Sequence, residues 1–361
     1  MLPYGRQTIE DDDVAAVSAA MRAELLTTGP EIDAFEAELA TASGARHAIV
    51  VSSGTAALHC AYAAAGLGPG DELVTTPLTF SATANMALAL GASVRFADID
   101  DGDLCLDPAR VSAGAKTKVI APVDYAGQPA KIDAFMRIGP CVVEDASHSI
   151  GARLSGKPVG SLAHLTTFSF HPVKTITTGE GGAVLTNDAT LAQRARDFRN
   201  HGLVRDPARL PAGSPKHAYE IQSLGFNYRL TALQCALGRC QLKKLPRFVA
   251  RRAQIVARYR AALDGVVRMQ TVREGVDPAW HLFVVRVRDR DRLFAALAGE
   301  EIFAQVHYPP VNAMPLYRAH DPRQTPIATR AASELLSLPL FPSLTDADVD
   351  RVIAAVKKHA A

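Results

Sequence analysis

Ala48–Ala65, AIVVSSGTAALHCAYAAA, decides the class of fold. Its first four residues form an apolar run of the kind found in a strand buried on both faces. Ser52-Ser53-Gly54-Thr55 breaks the run, and Ala56–Ala65 has the composition of a helix. A strand that turns into a helix within four residues opens a βα unit. Small residues at that junction leave backbone N–H groups unpaired at the positive end of a helix, an anion site best suited to a phosphate. Many Gly/Ser-rich turns look the same with nothing bound, so the rest of the chain has to decide.

Working outward, the rhythm repeats. Glu72–Thr76, Ser93–Ala97, Val119–Val123 and Cys141–Glu144 read as strands, with helical stretches at Ala82–Leu90 and Ile132–Met136. Upstream, Asp11-Asp12-Asp13 precedes the stripe Val14, Val17, Met21 and Leu25, which predicts an amphipathic helix ending before Thr27-Thr28-Gly29-Pro30. A second stripe, Ile32, Phe35 and Leu39, closes at Gly44. Alternation of this kind predicts an α/β fold with a mainly parallel sheet and right-handed crossovers. Ligands in such sheets sit beyond the C-terminal strand ends. Ser53, Gly54, Thr55, Phe80, Asp124, Tyr125, Asp145 and His148 all fall there. Asp145 ends an apolar strand and needs a cation or hydrogen bonds. A structural ion pair or helix cap would satisfy it as well as a functional role. His148 could belong to the core, orient Asp145 or face a ligand. Phe80 could be core or could stack on a ring.

Farther along lies Thr167–Thr186, TFSFHPVKTITTGEGGAVLT. Two strand-like runs, Leu165–Phe170 and Ala183–Thr186, flank a loop with Lys174 at its middle and Gly179-Glu180-Gly181-Gly182 behind it. A lysine held between strands can be placed accurately, and partial desolvation makes its amine a nucleophile. An ordinary solvated loop lysine is the alternative.

Past this loop, Ala189–Arg199 reads as a helix and Arg205–His217 as a mobile surface loop. Gly225–Arg229 is a turn opening the helix Leu230–Leu242, and helical patterns run on to Leu263. From about Gly265 shorter strands, Trp280–Val287 and Phe303–His307, alternate with helices up to Asp346–Lys358. This divides the chain into a large domain over 1–242, and a bridging helix with a small C-terminal α/β domain over 243–361.

Composition narrows the function. The 361 residues carry a net charge of +2, which gives no electrostatic case for nucleic acid or an anionic membrane. No run approaches a membrane span. The start, MLPYGRQTIEDDD, lacks an apolar signal core, and five scattered cysteines form no C-x-x-C pair. A reduced cytoplasmic protein without a metal site is expected.

A phosphate cradle, an aromatic, a strand-end carboxylate and a loop lysine, in that order, are what pyridoxal 5′-phosphate (PLP) requires. The chain resembles the fold-type-I, PLP-dependent nucleotide-sugar aminotransferases of the DegT/DnrJ/EryC1/StrS family. The likeness runs nearly end to end through LTTGP (26–30), SSGTAAL (52–58), TTPLTFSATAN (75–85), VEDASHSIGA (143–152), FSFHPVKTITTGEGG (168–182), RNHG (199–202), GFNYRLTALQCALG (225–238) and VHYPP (306–310). The long lysine motif, with YEIQSLGFNYRL and QLKKL, is similar to the pseudaminic acid branch. That branch aminates C4 of a UDP-linked 2-acetamido-2,6-dideoxy-4-keto-hexose with L-glutamate.

The resemblance implies roles. Lys174 forms the Schiff base with the cofactor and carries the proton. Asp145 pairs with the pyridinium nitrogen, Phe80 stacks on the ring, and Gly54, Thr55 and Ser169 hold the phosphate, with His148 also at the cofactor. Asn227 reaches the cofactor phosphate of a neighbouring subunit, which implies a homodimer with shared sites. Tyr4, Glu24, Leu25, Leu26, Thr27, His307 and Tyr308 match segments that line the sugar-nucleotide pocket. LTTGP has Thr28 where the family commonly has glutamine, and Ala134–Cys141 is short, which predicts a clipped crossover helix. Lys174 argues against the dehydratase branch, which has histidine there. The alternatives are another GDP- or dTDP-linked keto-sugar as substrate or, more remotely, a non-catalytic PLP-binding regulator.

Overall fold

A computed structural model describes residues 1–321 and 324–360. Helix α1 (Asp11–Ala20) starts at a capping box between Glu10 and Asp13. Its predicted apolar stripe is not what anchors it. Val14, Met21 and Leu25 are exposed, the last two beyond the helix end, and Asp13 is buried instead. Lys244 Nζ lies 2.7 Å from Asp13 and 2.6 Å from Asp12, so charge fastens this helix to the body. Helix α2 (Pro30–Ala42) behaves as its stripe predicts and buries Ile32, Phe35 and Leu39.

Strand β1 (His47–Val51) leads through Ser53 into α3 (Gly54–Ala64), and the Ser53 hydroxyl caps the helix by accepting from the Ala56 N–H at 3.0 Å. There follow β2 (Glu72–Thr75), α4 (Ala82–Ala89), β3 (Ser93–Phe96), β4 (Thr117–Ala121), α5 (Ile132–Met136), β5 (Cys141–Asp145), β6 (Leu165–Ser169), β7 (Gly182–Thr186) and α6 (Ala189–Arg199). Helix α5 is only five residues long, the clipped crossover that the short Ala134–Cys141 stretch predicts. The seven strands form one sheet in the order β1-β7-β6-β5-β4-β2-β3. β7 runs antiparallel to both its neighbours, and the other pairs are parallel. Val51, Val143 and Leu165 face α3, α4 and α6 on one side, while Val50, Phe168 and Leu185 pack against α2 and the helix described next on the other.

That helix, α7 (Ala232–Leu263), is continuous over 32 residues and opens with a Thr231–Gln234 capping box. It runs straight past Leu242 and accommodates Pro246, which removes one hydrogen bond from its ladder. Its second half, Ile255, Val256, Tyr259 and Leu263, packs on a three-stranded antiparallel sheet (Arg268–Met269, Phe283–Arg286, Leu335–Leu338) and on the helix Asp346–His359. Leu2 joins the same cluster and pairs with Ile302. The fully buried Arg252 of α7 donates to the carbonyls of Trp280, His281 and Leu340, tying two segments of the C-terminal part to one guanidinium.

Two strand expectations need correction. The strand expected over Trp280–Val287 is confined to Phe283–Arg286. Phe303–His307 is not a strand; only Gln305 makes a single bridge, to Ser337. Side-chain bonds rather than a backbone ladder fix its far end. The Tyr125 hydroxyl donates to the His307 carbonyl, and the His307 ring sits 2.9 Å from the Ser337 hydroxyl. The loop expected over Arg205–His217 is bounded by a short pairing of Leu203–Val204 with Glu220–Ile221 and tethered by the Arg209–Asp197 ion pair.

Candidate active site

The C-terminal ends of β1, β5 and β6 and the loop after β6 open onto a cavity of about 630 Å³. Gly54, Thr55, Phe80, Asp145, His148, Ser169 and Lys174 all line it, as do Tyr4, His307 and Tyr308. Residues far apart in sequence meet here, several of them at or just after the ends of strands of one sheet.

The phosphate cradle lies at the start of α3. Neither the Gly54 nor the Thr55 N–H has an acceptor among the described residues. A side chain at 54 would place its Cβ 2.8 Å from that of Ser169, so only glycine lets the Ser169 hydroxyl approach the helix terminus. Two unpaired N–H groups beside two hydroxyls form a donor set for a phosphate dianion.

Asp145 is buried at the end of β5. Hydrogen bonds rather than a cation satisfy it. The Thr83 hydroxyl donates to Oδ2 at 2.7 Å, and the Ser147 hydroxyl and N–H donate to Oδ1 at 2.6 and 3.2 Å. Thr83 is itself held 2.8 Å from the Thr79 hydroxyl. A carboxylate fixed in this way suits a protonated ring nitrogen. Phe80, 59% exposed, presents its ring to the cavity at the start of α4, an unusual exposure for phenylalanine unless a planar partner covers it.

Lys174 projects from the loop after β6. Burial lowers its amine to about pH 8, with Asp145 pulling the other way. Across the cavity three histidines, His148, His281 and His307, are held neutral by desolvation, with the Lys174 charge adding to the effect. His148 Nε2 lies 3.2 Å from the Tyr308 hydroxyl, and its ring is 4.4 Å from that of His281. Gly127 makes this arrangement possible. Its φ is +100°, and a Cβ there would meet the backbone nitrogens of Trp280 and His281 at 2.8 Å.

The remaining predicted residues lie elsewhere. Glu24, Leu25, Leu26 and Thr27 form an exposed turn between α1 and α2 and do not line the cavity. Asn227 is also exposed, pairs through its backbone with Asn200 and stands outside the cavity of its own chain. Sequence reasoning did not single out Thr83, Ser147 or His281. Thr83 lies within the quoted TTPLTFSATAN, one helical turn after Phe80, and its spacing could have suggested a second group facing the same space. His281 falls within the expected strand Trp280–Val287 and in the structure precedes the strand Phe283–Arg286.

The two N–H groups, the hydroxyls, the fixed carboxylate, the ring and the buried amine together fit PLP. Comparison with known proteins agrees. The profile of the DegT/DnrJ/EryC1/StrS aminotransferase family matches residues 7–357. The spore coat polysaccharide biosynthesis protein SpsC of Bacillus subtilis is 37% identical, over 99% of this chain and 96% of its own. The structure of PseC of Helicobacter pylori, an aminotransferase of pseudaminic acid biosynthesis, superposes with a TM-score of 0.89 at 29% identity, over 99% of this chain and 98% of that one. Spr1654 of Streptococcus pneumoniae, solved with pyridoxamine phosphate, gives a TM-score of 0.92 at 26% identity over 99% of this chain and 98% of that one, and it has also been solved with PLP. On a match of this length, joined to a cavity that fits the cofactor, the chain belongs to the DegT/DnrJ/EryC1/StrS aminotransferase family and is a PLP-dependent sugar aminotransferase of fold type I.

Proposed function

We propose that this enzyme aminates C4 of a UDP-linked 2-acetamido-2,6-dideoxy-4-keto-hexose with L-glutamate as donor, in nucleotide-sugar biosynthesis of the pseudaminic acid type. The observation that carries the chemistry is the convergence of Lys174, Asp145, Phe80 and the Gly54–Thr55 terminus on one cavity. The choice of sugar rests on the likeness to PseC and on the long motif around Lys174.

When bound, PLP supplies an electron sink and carries the amino group from donor to acceptor. The chain's own residues do the rest. Gly54, Thr55 and Ser169 bind the phosphate. Asp145 Oδ holds the proton of the ring nitrogen, with Thr83 and Ser147 orienting it. Phe80 and His148, which both line the cavity, would hold the ring. Lys174 Nζ would take the proton from the donor's α-carbon and return it on the cofactor side; an amine near 8 has half its population unprotonated at that pH. The neutral histidines keep further positive charge out of the cavity.

The reading also assigns Asn227 to a partner subunit's site in a cytoplasmic homodimer, Tyr4, Glu24–Thr27, His307 and Tyr308 to the sugar-nucleotide pocket, and a large domain and a smaller one to the stretches 1–242 and 243–361. The exposure of Asn227 in the single chain supports the first of these roles. Mass analysis of products from UDP-, dTDP- and GDP-linked keto-sugars with glutamate tests the substrate. We expect kcat/KM for the UDP sugar to exceed the others by at least about tenfold. Preference for a dTDP or GDP sugar would move the enzyme to a different sugar within the same family.

A further inference from the structure

On the opposite side of the strand ends from the cavity, two carboxyl groups are buried together. Asp124 follows β4 and Glu144 lies on β5, and both are fully inaccessible. Neither has an ion-pair partner among the described residues. Val123 bridges Asp145 across the two segments, which puts Asp124 and Glu144 side by side on the other face, and each carboxyl acts on the other. Asp124 uses both oxygens as acceptors: Oδ1 takes the Ala130 N–H at 2.7 Å and Oδ2 the Ser149 hydroxyl at 2.5 Å. Glu144 Oε2 accepts from the Thr166 hydroxyl at 2.8 Å, and Oε1 is buried with no donor.

Two ionised carboxylates in contact without a cation would repel strongly in a low-dielectric interior. The donor census says where a proton goes. Both Asp124 oxygens already face a donor and each keeps a lone pair for one more, whereas Glu144 Oε1 has nothing to accept and is free to carry the proton. We propose that Asp124 and Glu144 share one proton, carried on Glu144 and donated to Asp124, and that this bond is the clasp that holds the 144–149 turn on the strand ends.

The connectivity gives the clasp its purpose. Asp124 N–H donates to the Asp145 carbonyl, and Asp145 N–H donates to Pro122. With Glu144 at one end of the turn and Ser149 at the other both tied to Asp124, Asp145 and His148 between them have little freedom. Asp124 and Glu144 are positioning residues, and they act on the cofactor groups only through this turn. The other titratable groups that act on the pair are Asp145, which raises both, and the buried Cys105, which faces Asp124.

The second half of this inference rests on the reading of the cavity as the PLP site; the shared proton does not. Infrared spectroscopy of the apo-protein at pH 7 tests the proton directly. The wild type should show the C=O stretch of a protonated carboxylic acid, shifted in heavy water and lost in both Glu144→Gln and Asp124→Asn. No such band in the wild type, or a band unchanged in both variants, overturns the proposal. PLP titration by absorbance then tests the clasp. Glu144→Gln keeps an N–H donor toward Asp124 and should bind PLP within about threefold of wild type, whereas Glu144→Ala should lose at least tenfold. Equal losses in Gln and Ala would mean that the hydrogen bond is not what positions the turn. Failure of PLP to bind the wild-type protein would instead count against the cofactor reading and leave the infrared result standing.

Discussion

The cofactor wall and the outer rim of the site are built in different ways. The wall consists of strand ends and a helix terminus of one sheet, and its polar groups are buried and mutually bonded: Thr79 to Thr83 to Asp145, and Ser147 to Asp145. The rim residues Glu24–Thr27 and Asn227 are exposed in their own chain and touch nothing in the cavity. The exposed side chains Ile9, Val14, Met21, Leu25, Leu26, Ile221, Leu224 and Phe226 lie on the same two stretches of chain. The contrast teaches that the residues of the wall all come from one chain, whereas the rim waits for something to cover it, which a second copy of the chain does in our proposal.

The largest expected effect lies on the wall. Lys174→Ala should lower transamination by about a thousandfold or more, read as 2-oxoglutarate release from glutamate, with the thermal midpoint little changed. Retained turnover would remove Lys174 from the chemistry. The comparison itself is broken or sharpened by mixing subunits. If Asn227 serves a partner's cofactor, Lys174→Ala and Asn227→Ala dimers, each weak alone, should regain activity when unfolded and refolded together, because one site in each mixed dimer is then wild type. Absence of any recovery would place Asn227 outside the site.

A smaller effect is expected from Thr83→Val. It leaves Asp145 Oδ2 without its donor, a loss of about 1–2 kcal/mol, so PLP should bind roughly tenfold more weakly in an absorbance titration. The mildest test changes only pH. Because burial sets Lys174 at about 8 rather than 10.5, capture of PLP by the apo-protein should quicken as pH rises towards 8 and level off above it. The sign for stability follows from the same shift. Between about 8 and 10.5 the unfolded chain binds a proton that the folded chain does not, so this group adds stability as pH rises through that window. A capture profile that continues to climb to pH 10 would show a solvated lysine.

Most of the wall was legible in the sequence because each element carries a local signal. Ser52–Thr55 breaks an apolar run, Asp145 ends one, and Lys174 sits in a loop that two strands flank. Three features were not legible. The stripe on α1 has helical spacing, yet the helix is held by Asp13 and Lys244, residues 231 positions apart whose pairing no local pattern encodes. The segment Phe303–His307 has strand composition but bridges the sheet only at Gln305, its far end being fixed by side-chain bonds to Tyr125 and Ser337. His281 reaches the cavity because Arg252 and Gly127 hold its backbone, and both contacts are tertiary.

The most direct test is the absorbance spectrum of the purified, PLP-loaded protein as L-glutamate and then the UDP-linked 4-keto sugar are added. The account predicts that glutamate bleaches the band of PLP bound at Lys174 and that the keto-sugar restores it. A protein that takes up no PLP, or whose band glutamate leaves unchanged, would contradict it.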